Sequence, residues 1–330
     1  MTEHLTIQQM ADRIAAKDNI LLVCHKNPDG DTIGSASALC HALIALGKQA
    51  AVLCADEIPA MYRYMQTPLY RSEFSPALVV AVDIASVQLL GEKNNVPLLT
   101  AHIDCCIDHH AGNPGFADFT LLDATAAATA EIMIEVVAAL GAEITECVAD
   151  CLYTALSTDT GCFKFASTTA RTYRTAAMLF EAGAHIEDLN TLLFQTKSPA
   201  RMEIEQLALS HLSYHLDNRC AMTYLTRDQI ANSGVEAAEL EDLTSLPIGI
   251  AGVQVGLTLR QQPSGSYRIS IRTVKEVNAC SIAKRLGGGG HNRAAGCELE
   301  GDLENTKYAI LGEVEAVLAL LAQTDVSEEN

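Results

Sequence analysis

Short, wholly apolar runs separated by longer amphipathic stretches dominate the first half of the chain. Asn19–Cys24, Gln49–Ala55, Ala77–Asp83, Ala101–Ile107 and Phe119–Leu122 read as strands. Between and after them, Ser35–Leu46, Thr129–Leu140 and Glu146–Leu156 carry helical spacing. Strands without a polar face, alternating with helices, predict a parallel sheet covered on both sides. From about Thr168 to His211 the pattern is helical and more polar, with helices expected over Ala170–Ala182 and Ser198–Leu212 and Ile186–Gln195 between them. Apolar strands return at Arg219–Leu225, Gly249–Gln261 and Tyr267–Arg272. A helix at Ala279–Leu286, a glycine run at 287–290 and a long helix at Leu303–Leu321 follow. The expected architecture is therefore α/β. An N-terminal doubly wound, mostly parallel sheet over residues 1–190 is joined by a helical connector, 191–212, to a smaller α/β domain, 213–330.

In open parallel sheets, ligands collect beyond the carboxyl ends of the strands. That rule organises the polar residues. His25 follows the first strand, Asp83 ends the third, and Asp108-His109-His110 follows the fourth. Asp159 is expected just past the helix that ends near Ser157. The segment His25-Lys-Asn-Pro-Asp29-Gly-Asp31 gathers an imidazole and two carboxylates within seven residues. Its Pro-Asp-Gly turn allows Asp29 and Asp31 to converge. Gly34 and Ser35 are expected to open a helix from Ala36 to Leu46, with free N–H groups suited to an anion. Carboxylates and imidazoles in this mixture suit divalent ions toward the transition-metal end of the series.

Composition narrows the reading. The 330 residues, 49% of them hydrophobic, suffice for two cored domains, and no apolar run reaches the length of a membrane span. Met1–Ile7 lacks a basic region followed by an apolar core, so no signal peptide is expected. A net charge of −19 opposes a sequence-independent grip on duplex nucleic acid, but not a small anionic substrate beside bound cations. Eleven cysteines form no regular framework. Cys24, Cys40, Cys54, Cys106 and Cys151 read as core, which points to a reducing, cytoplasmic setting. Asp325–Asn330 reads as a solvated tail.

Taken together the motifs resemble those of the DHH phosphoesterase family. His25…Asp29-Gly-Asp31…Gly34-Ser35 is similar to its first motif, Val82-Asp83 to the second, Asp108-His109-His110 to the third and Thr158-Asp159-Thr160-Gly161 to the fourth. Gly287-Gly-Gly-Gly-His291-Asn-Arg-Ala-Ala-Gly296 resembles the glycine-rich loop of the DHH-associated C-terminal domain, and Ser270-Ile-Arg272 its substrate-contacting arginine segment. The resemblance spans roughly residues 5 to 320. Size and domain order are most similar to the oligoribonuclease branch, which acts on nanoRNA, dinucleotides and 3′-phosphoadenosine 5′-phosphate.

The resemblance implies two divalent ions, usually Mn²⁺, with Mg²⁺ or another divalent ion as the alternative. His25, Asp29 and Asp83 would hold one ion. Asp31, Asp83, His109 and Asp159 would hold the other, with Asp83 bridging. A water activated by the ions would attack the phosphate, while His110 contacts the phosphoryl oxygen or protonates the leaving group. Asp108 would orient an imidazole. In the second domain Gly288, Gly289, Gly290, His291, Arg293 and Arg272 would bind substrate. Independent of family, four crowded carboxylates repel one another unless cations neutralise them. Single-stranded RNA of a few residues or small phosphonucleotides are the expected substrates, with a homodimer plausible from the family tendency. Cyclic or linear signalling dinucleotides are the alternative, and pyrophosphate or polyphosphate a weaker one. A nucleotide sensor with a dead centre is disfavoured because every expected ligand position is occupied.

Overall fold

A computed structural model describes residues 2–93, 96–274 and 276–328, with the side chains of 237, 238 and 322–328 left aside. The chain divides into two units, Met1–Thr196 and Lys197–Asn330. The stretch 191–212 is shared between them: a π-helical turn, Thr191–Gln195, lies in the first unit and the helix Pro199–Ser210 in the second.

The first unit runs β1 (Glu3–His4), α1 (Ile7–Ala15), β2 (Ile20–Val23), α2 (Gly30–Ala45), β3 (Ala50–Leu53), β4 (Leu78–Val82), α3 (Val96–Leu99), β5 (Cys105–Asp108), β6 (Phe119–Leu122), α4 (Thr129–Ala139), α5 (Glu146–Asp159), α6 (Ala170–Glu181) and α7 (Ile186–Asn190). Its sheet has the order β1-β6-β5-β4-β2-β3, and every pairing is parallel. β2, β3, β4 and β5 are buried along their whole length, which is why they carry no polar face. One apolar cluster packs α1, α2, α4 and α5 on one side of the sheet, and a smaller one around Leu21, Val23, Val79, Ala81 and Ile103 fills the other. The chain passes from β2 to β3 on one side and then returns to β4 on the other. The strand order therefore reverses between β2 and β4, the topological switch point at which ligands bind in such sheets.

The second unit comprises α8 (Pro199–Ser210), β7 (Ser213–His215), β8 (Cys220–Leu225), α9 (Arg227–Ser233), α10 (Ala237–Asp242), β9 (Val255–Gln261), β10 (Tyr267–Thr273), α11 (Ala279–Arg285), β11 (Gly289–Gly290), β12 (Ala294–Leu299) and α12 (Leu303–Glu328). Its sheet, β11-β12-β10-β9-β8-β7, is antiparallel apart from the β8–β9 pair. Among the described residues no helix is long and apolar enough to cross a membrane.

Five expectations need correction, the first being the strand expected over Gly249–Gln261, which begins only at Val255. The helix expected from Ala36 starts at Gly30 and ends at Ala45. Asp29 is its N-cap, and the carboxylate accepts the N–H groups of Asp31 and Thr32, both at 3.1 Å. Those N–H groups are thus satisfied by Asp29, and Gly34 and Ser35 lie a turn inside the helix. Asp159 is not past α5 but its last helical residue. Half of the glycine-rich loop is an edge strand: Gly289 and Gly290 pair with Gly296 and Ala295 of β12. The C-terminal helix continues through Asp325 to Glu328, where a tail was expected, and residues 329 and 330 lie outside the described residues.

Glycines at 30 and 34 have a definite purpose. A Cβ on Gly34 would lie 2.5 Å from the Cys151 carbonyl oxygen, and one on Gly30 would lie 2.2 Å from Thr158 Oγ1. α2 and α5 therefore meet backbone to backbone, which brings the C-terminal end of α5 to the N-terminal end of α2. Gly34→Ala should destabilise the protein by about 1–3 kcal/mol. Gly312→Ala, at an exposed position of α12 where a Cβ meets nothing within 4 Å, should stabilise it by about 0.5–1 kcal/mol. Denaturant unfolding of both variants checks the opposite signs; a neutral Gly34→Ala would refute the close-approach argument.

Candidate metal centre

Three strand ends and two helix ends of the first unit deliver the expected residues to one place. His25 lies just beyond β2, Asp83 just beyond β4, and His109 and His110 just beyond β5, which ends at Asp108. Asp29 and Asp31 come from the start of α2 and Asp159 from the end of α5. Asp83 adopts the left-handed backbone conformation, φ +59°. This costs on the order of 1 kcal/mol for a residue with a Cβ, less for an aspartate than for most. The turn keeps its amide on the Ile107 carbonyl (2.9 Å).

The two oxygens of Asp83 face different histidines. Oδ2 lies 3.8 Å from His25 Nε2, which is 3.4 Å from Asp29 Oδ1. Oδ1 lies 3.6 Å from His109 Nε2, which is 3.8 Å from Asp31 Oδ2 and 3.5 Å from Asp159 Oδ2. His25, Asp29 and Asp83 thus make one group whose candidate ligand atoms lie within 4.8 Å of one another, and Asp31, His109 and Asp159 make a second.

The donor set fits divalent cations. These N···O separations exceed hydrogen-bond length, so the imidazoles do not satisfy the carboxylates directly. They lie at or a few tenths of an ångström above the edge between two ligands of a common ion, roughly 3–3.5 Å for bonds near 2.1 Å. Nδ1 of His25 is 2.8 Å from the Lys26 carbonyl oxygen and Nδ1 of His109 is 3.2 Å from that of Ala126. Donation of Nδ1–H to these carbonyls leaves both Nε2 lone pairs facing the carboxylates, the tautomer a metal ligand needs. Asp31 and Asp83 are buried, and burial followed by neighbouring carboxylates raises both: Asp31 well above its usual range, Asp83 to about 6. Burial likewise raises Asp159, with Asp29 adding to it against the pull of His109 and His110. Charge concentrated this way without counter-charge is what bound cations relieve.

Several side chains absent from the motif reading hold this geometry. Thr129 Oγ1 donates to Asp83 Oδ1 at 2.8 Å, and its backbone N–H donates to Asp31 Oδ2 at 2.7 Å. The Ala130 N–H adds a bond to Asp31 Oδ1 (3.2 Å), so the N-terminus of α4 clasps Asp31. Thr32 Oγ1 donates to the Val82 carbonyl (2.8 Å), which ties α2 to the end of β4. Ser35 Oγ donates to Asp31 Oδ1 (3.1 Å) and is fully buried, which gives Ser35 a positioning role away from substrate. The available signal for Thr129 was the start of a helix directly after the last strand, since that edge of the sheet collects ligands.

His110 joins Asp83 and His109 in a third such group, with its Nδ1 3.6 Å from Asp83 Oδ1. Its Nδ1 is 2.8 Å from Asp108 Oδ1, while Asp108 Oδ2 accepts from Asn113 Nδ2 at 2.6 Å. The Asp108 hydrogen bond, against burial and with Asp83 adding, raises His110 to about 9. Although burial opposes it, Asp108 stays below its usual range because His110 and Asn113 bond to it.

In the second unit, Arg272 on β10 stands opposite Ala294, and Gly290 stands opposite Ala295. Arg272, His291 and Arg293 therefore share one end of that sheet. His291 and Arg293 are exposed, and Arg293 Nη1 donates to the Val277 carbonyl (3.1 Å). A Cβ on Gly288 would lie 2.2 Å from the Gly296 carbonyl oxygen and one on Gly290 2.6 Å from Ala295 Cα. Both are thus required for packing on β12, whereas Gly289 faces open space.

Carboxylates and correctly oriented imidazoles around a shared aspartate, at the switch point of a parallel sheet, define a metal-dependent hydrolase. Comparison with known proteins specifies the class. The model of the DHH family, N-terminal domain, matches residues 19–156, and that of the DHHA1 domain matches 218–320. A bifunctional oligoribonuclease and PAP phosphatase NrnA from Thermus thermophilus is 32% identical over 298 residues, covering 90% of this chain and 89% of that protein. The Bacillus subtilis protein of the same name is 22% identical over 294 residues, 87% and 91% of the two chains. The crystal structure of an exopolyphosphatase-related protein from Bacteroides fragilis shares the fold, with a TM-score of 0.86 at 23% identity over 96% of this chain and 97% of that one. The chain belongs to the DHH phosphoesterase family.

Saturating Mn²⁺ should raise the thermal midpoint of the first unit by about 5 °C or more, as a ligand at a hundredfold excess over its Kd implies. Asp83→Asn should abolish most of that rise. Thr129→Val should weaken it, with metal affinity down about 10–100-fold. Differential scanning calorimetry with and without EDTA measures both; an unchanged Mn²⁺ response in Asp83→Asn would contradict a shared ligand.

Proposed function

We propose that this phosphoesterase hydrolyses short oligoribonucleotides, including dinucleotides, and 3′-phosphoadenosine 5′-phosphate, with two Mn²⁺ ions as cofactor. The observation that carries the metal part is the Asp83 carboxylate, whose two oxygens face two separate His/Asp groups. The substrate part is supported by the 32% identical relative from Thermus thermophilus, named an oligoribonuclease and PAP phosphatase and matched along nearly its whole length. Both substrates present a phosphate ester next to a ribose, so one phosphoryl site serves them.

What divalent ions supply at such a site is neutralisation of the phosphoryl charge and acidification of the attacking water. The protein's own contribution begins with His25, Asp29, Asp31, Asp83, His109 and Asp159 as ligands. His25 and His109 are fixed in their tautomers by the Lys26 and Ala126 carbonyls. His110 has Nδ1 committed to Asp108, which leaves Nε2 to bond a phosphoryl oxygen or, in the protonated ring, to protonate the departing oxygen. Asp108 holds that ring and stabilises its positive form. Arg272, with its planar fork of donors, suits a phosphate or a base edge. His291 and Arg293 add exposed donors at the same end of the second sheet, beside Gly288, Gly289 and Gly290. The net charge of −19 favours small substrates over long duplexes, and a cysteine set with no disulfide among the described residues suits a cytoplasmic setting.

Purified protein with Mn²⁺ is to be offered RNA dinucleotide, 3′-phosphoadenosine 5′-phosphate, linear and cyclic signalling dinucleotides, pyrophosphate and long single-stranded DNA. Turnover should be fastest on the first two; turnover confined to pyrophosphate or to the signalling dinucleotides would overturn the assignment. His110→Ala should lower kcat by about 10²–10⁴-fold with the metal response intact. Arg272→Ala should act mainly on KM, read from steady-state kinetics.

A further inference from the structure

α2 and α5 also meet at the ends remote from the centre just described. There, His41 of α2 and Cys147 and Cys151 of α5 bring one ligand atom each to within 4.8 Å of one another. His41 is ten residues after Asp31, roughly 15 Å along the helix axis, and Cys147 is twelve before Asp159, roughly 18 Å. The cluster is therefore separate from the carboxylates. None of its members belongs to a motif used above.

We propose that His41, Cys147 and Cys151 form a second metal site, selective for a thiophilic ion of the Zn²⁺ class and with its fourth position open to solvent. Four observations carry it. First, two thiols and an imidazole on rigid helices have the composition of a three-ligand zinc site. With Zn–S bonds near 2.3 Å, tetrahedral ligands sit roughly 3.8 Å apart, inside the observed spread. Second, His41 Nε2 is 2.8 Å from the Met65 carbonyl oxygen. Donation of Nε2–H to that carbonyl leaves Nδ1 with the lone pair and fixes the ring, as backbone carbonyls do for metal-bound histidines.

Third, the approach is enforced by packing. The 2.5 Å between a Cβ on Gly34 and the Cys151 carbonyl oxygen marks a backbone contact that fixes α5 against α2 where the chain carries Cys151. Fourth, the cluster is reachable and chemically ready. Cys147 is exposed, His41 half-buried and Cys151 buried. Cys147 lies in the first turn of α5, where free N–H groups stabilise a thiolate. Binding releases the Cys151 proton, and that of any protonated Cys147, to solvent. Thiolates select this ion against Mn²⁺, which takes the oxygen-rich centre instead.

The test uses the whole reduced protein, saturated with Mn²⁺ and titrated with Co²⁺, whose thiolate charge-transfer absorption reports sulfur ligation. One equivalent of Co²⁺ should produce the band, and Zn²⁺ should displace it. Cys147→Ser should lose the band while its Mn²⁺-dependent hydrolysis stays unchanged, which shows that it folds. Cys280→Ser, on α11, should keep it. His41→Gln should weaken Zn²⁺ binding at least by the 10–100-fold that loss of an orienting partner costs. Absence of a thiolate band in the wild type, or its full retention in Cys147→Ser, would overturn the proposal.

Discussion

Carboxylate crowding is the constraint on which the rest of the first unit depends. Asp31 and Asp83 are buried within reach of Asp29 and Asp159, and both are pushed toward their neutral forms by burial first and then by a neighbouring carboxylate, Asp83 acting on Asp31 and Asp29 on Asp83. A fold keeps such a group of acids only if something else stabilises their charge. Part of that comes from the chain: Thr129 and Ala130 donate backbone N–H groups to Asp31, Ser35 donates its hydroxyl to it, and the Thr129 hydroxyl reaches Asp83. The imidazoles of His25 and His109 do not complete it, because their Nε2 atoms stand 3.4–3.8 Å from the surrounding carboxylate oxygens. Cations are what the remaining space and charge call for.

Holding those acids together is a packing problem before it is a catalytic one. The parallel sheet supplies three strand ends at a reversal in strand order, and the left-handed turn at Asp83 stops the chain there. Glycines 30 and 34 let α5 come against α2 without intervening side chains. That contact carries Asp159 to the centre at one end of the helix pair. At the other it assembles His41, Cys147 and Cys151. One close approach thus explains two clusters of different chemistry, an oxygen-rich one and a sulfur-rich one.

Strands β2 to β6 and the six metal-ligand candidates were legible because their signals are local and strong, whereas the two-residue β1 was too short to show. A wholly buried strand must be apolar along its length, and the polar residue after it stands out, as His25 and Asp83 do. The helix boundaries at the centre were less legible. Asp29 caps α2 through its carboxylate, and Pro-Asp-Gly read as a turn concealed that the helix had begun. α5 runs through Asp159, and Thr158 and Thr160 satisfy their hydroxyls on carbonyls of the preceding turn, an arrangement that spacing does not reveal. The glycine run read as a loop has two members that serve β-pairing with β12, a partner whose weak pattern (Ala294–Leu299) concealed it. Thr32 and Thr129 were missed for a different reason: each acts by bridging elements distant in sequence, and nothing in the composition of a threonine marks it as a bridge.

The central claim is that two cations share Asp83. Crystals grown with Mn²⁺ and measured at the manganese absorption edge test it most directly. Two anomalous peaks are predicted, one coordinated by His25, Asp29 and Asp83 and the other by Asp31, Asp83, His109 and Asp159. A fully occupied map with no peak beside Asp83, or with both ions bound elsewhere, would contradict the account.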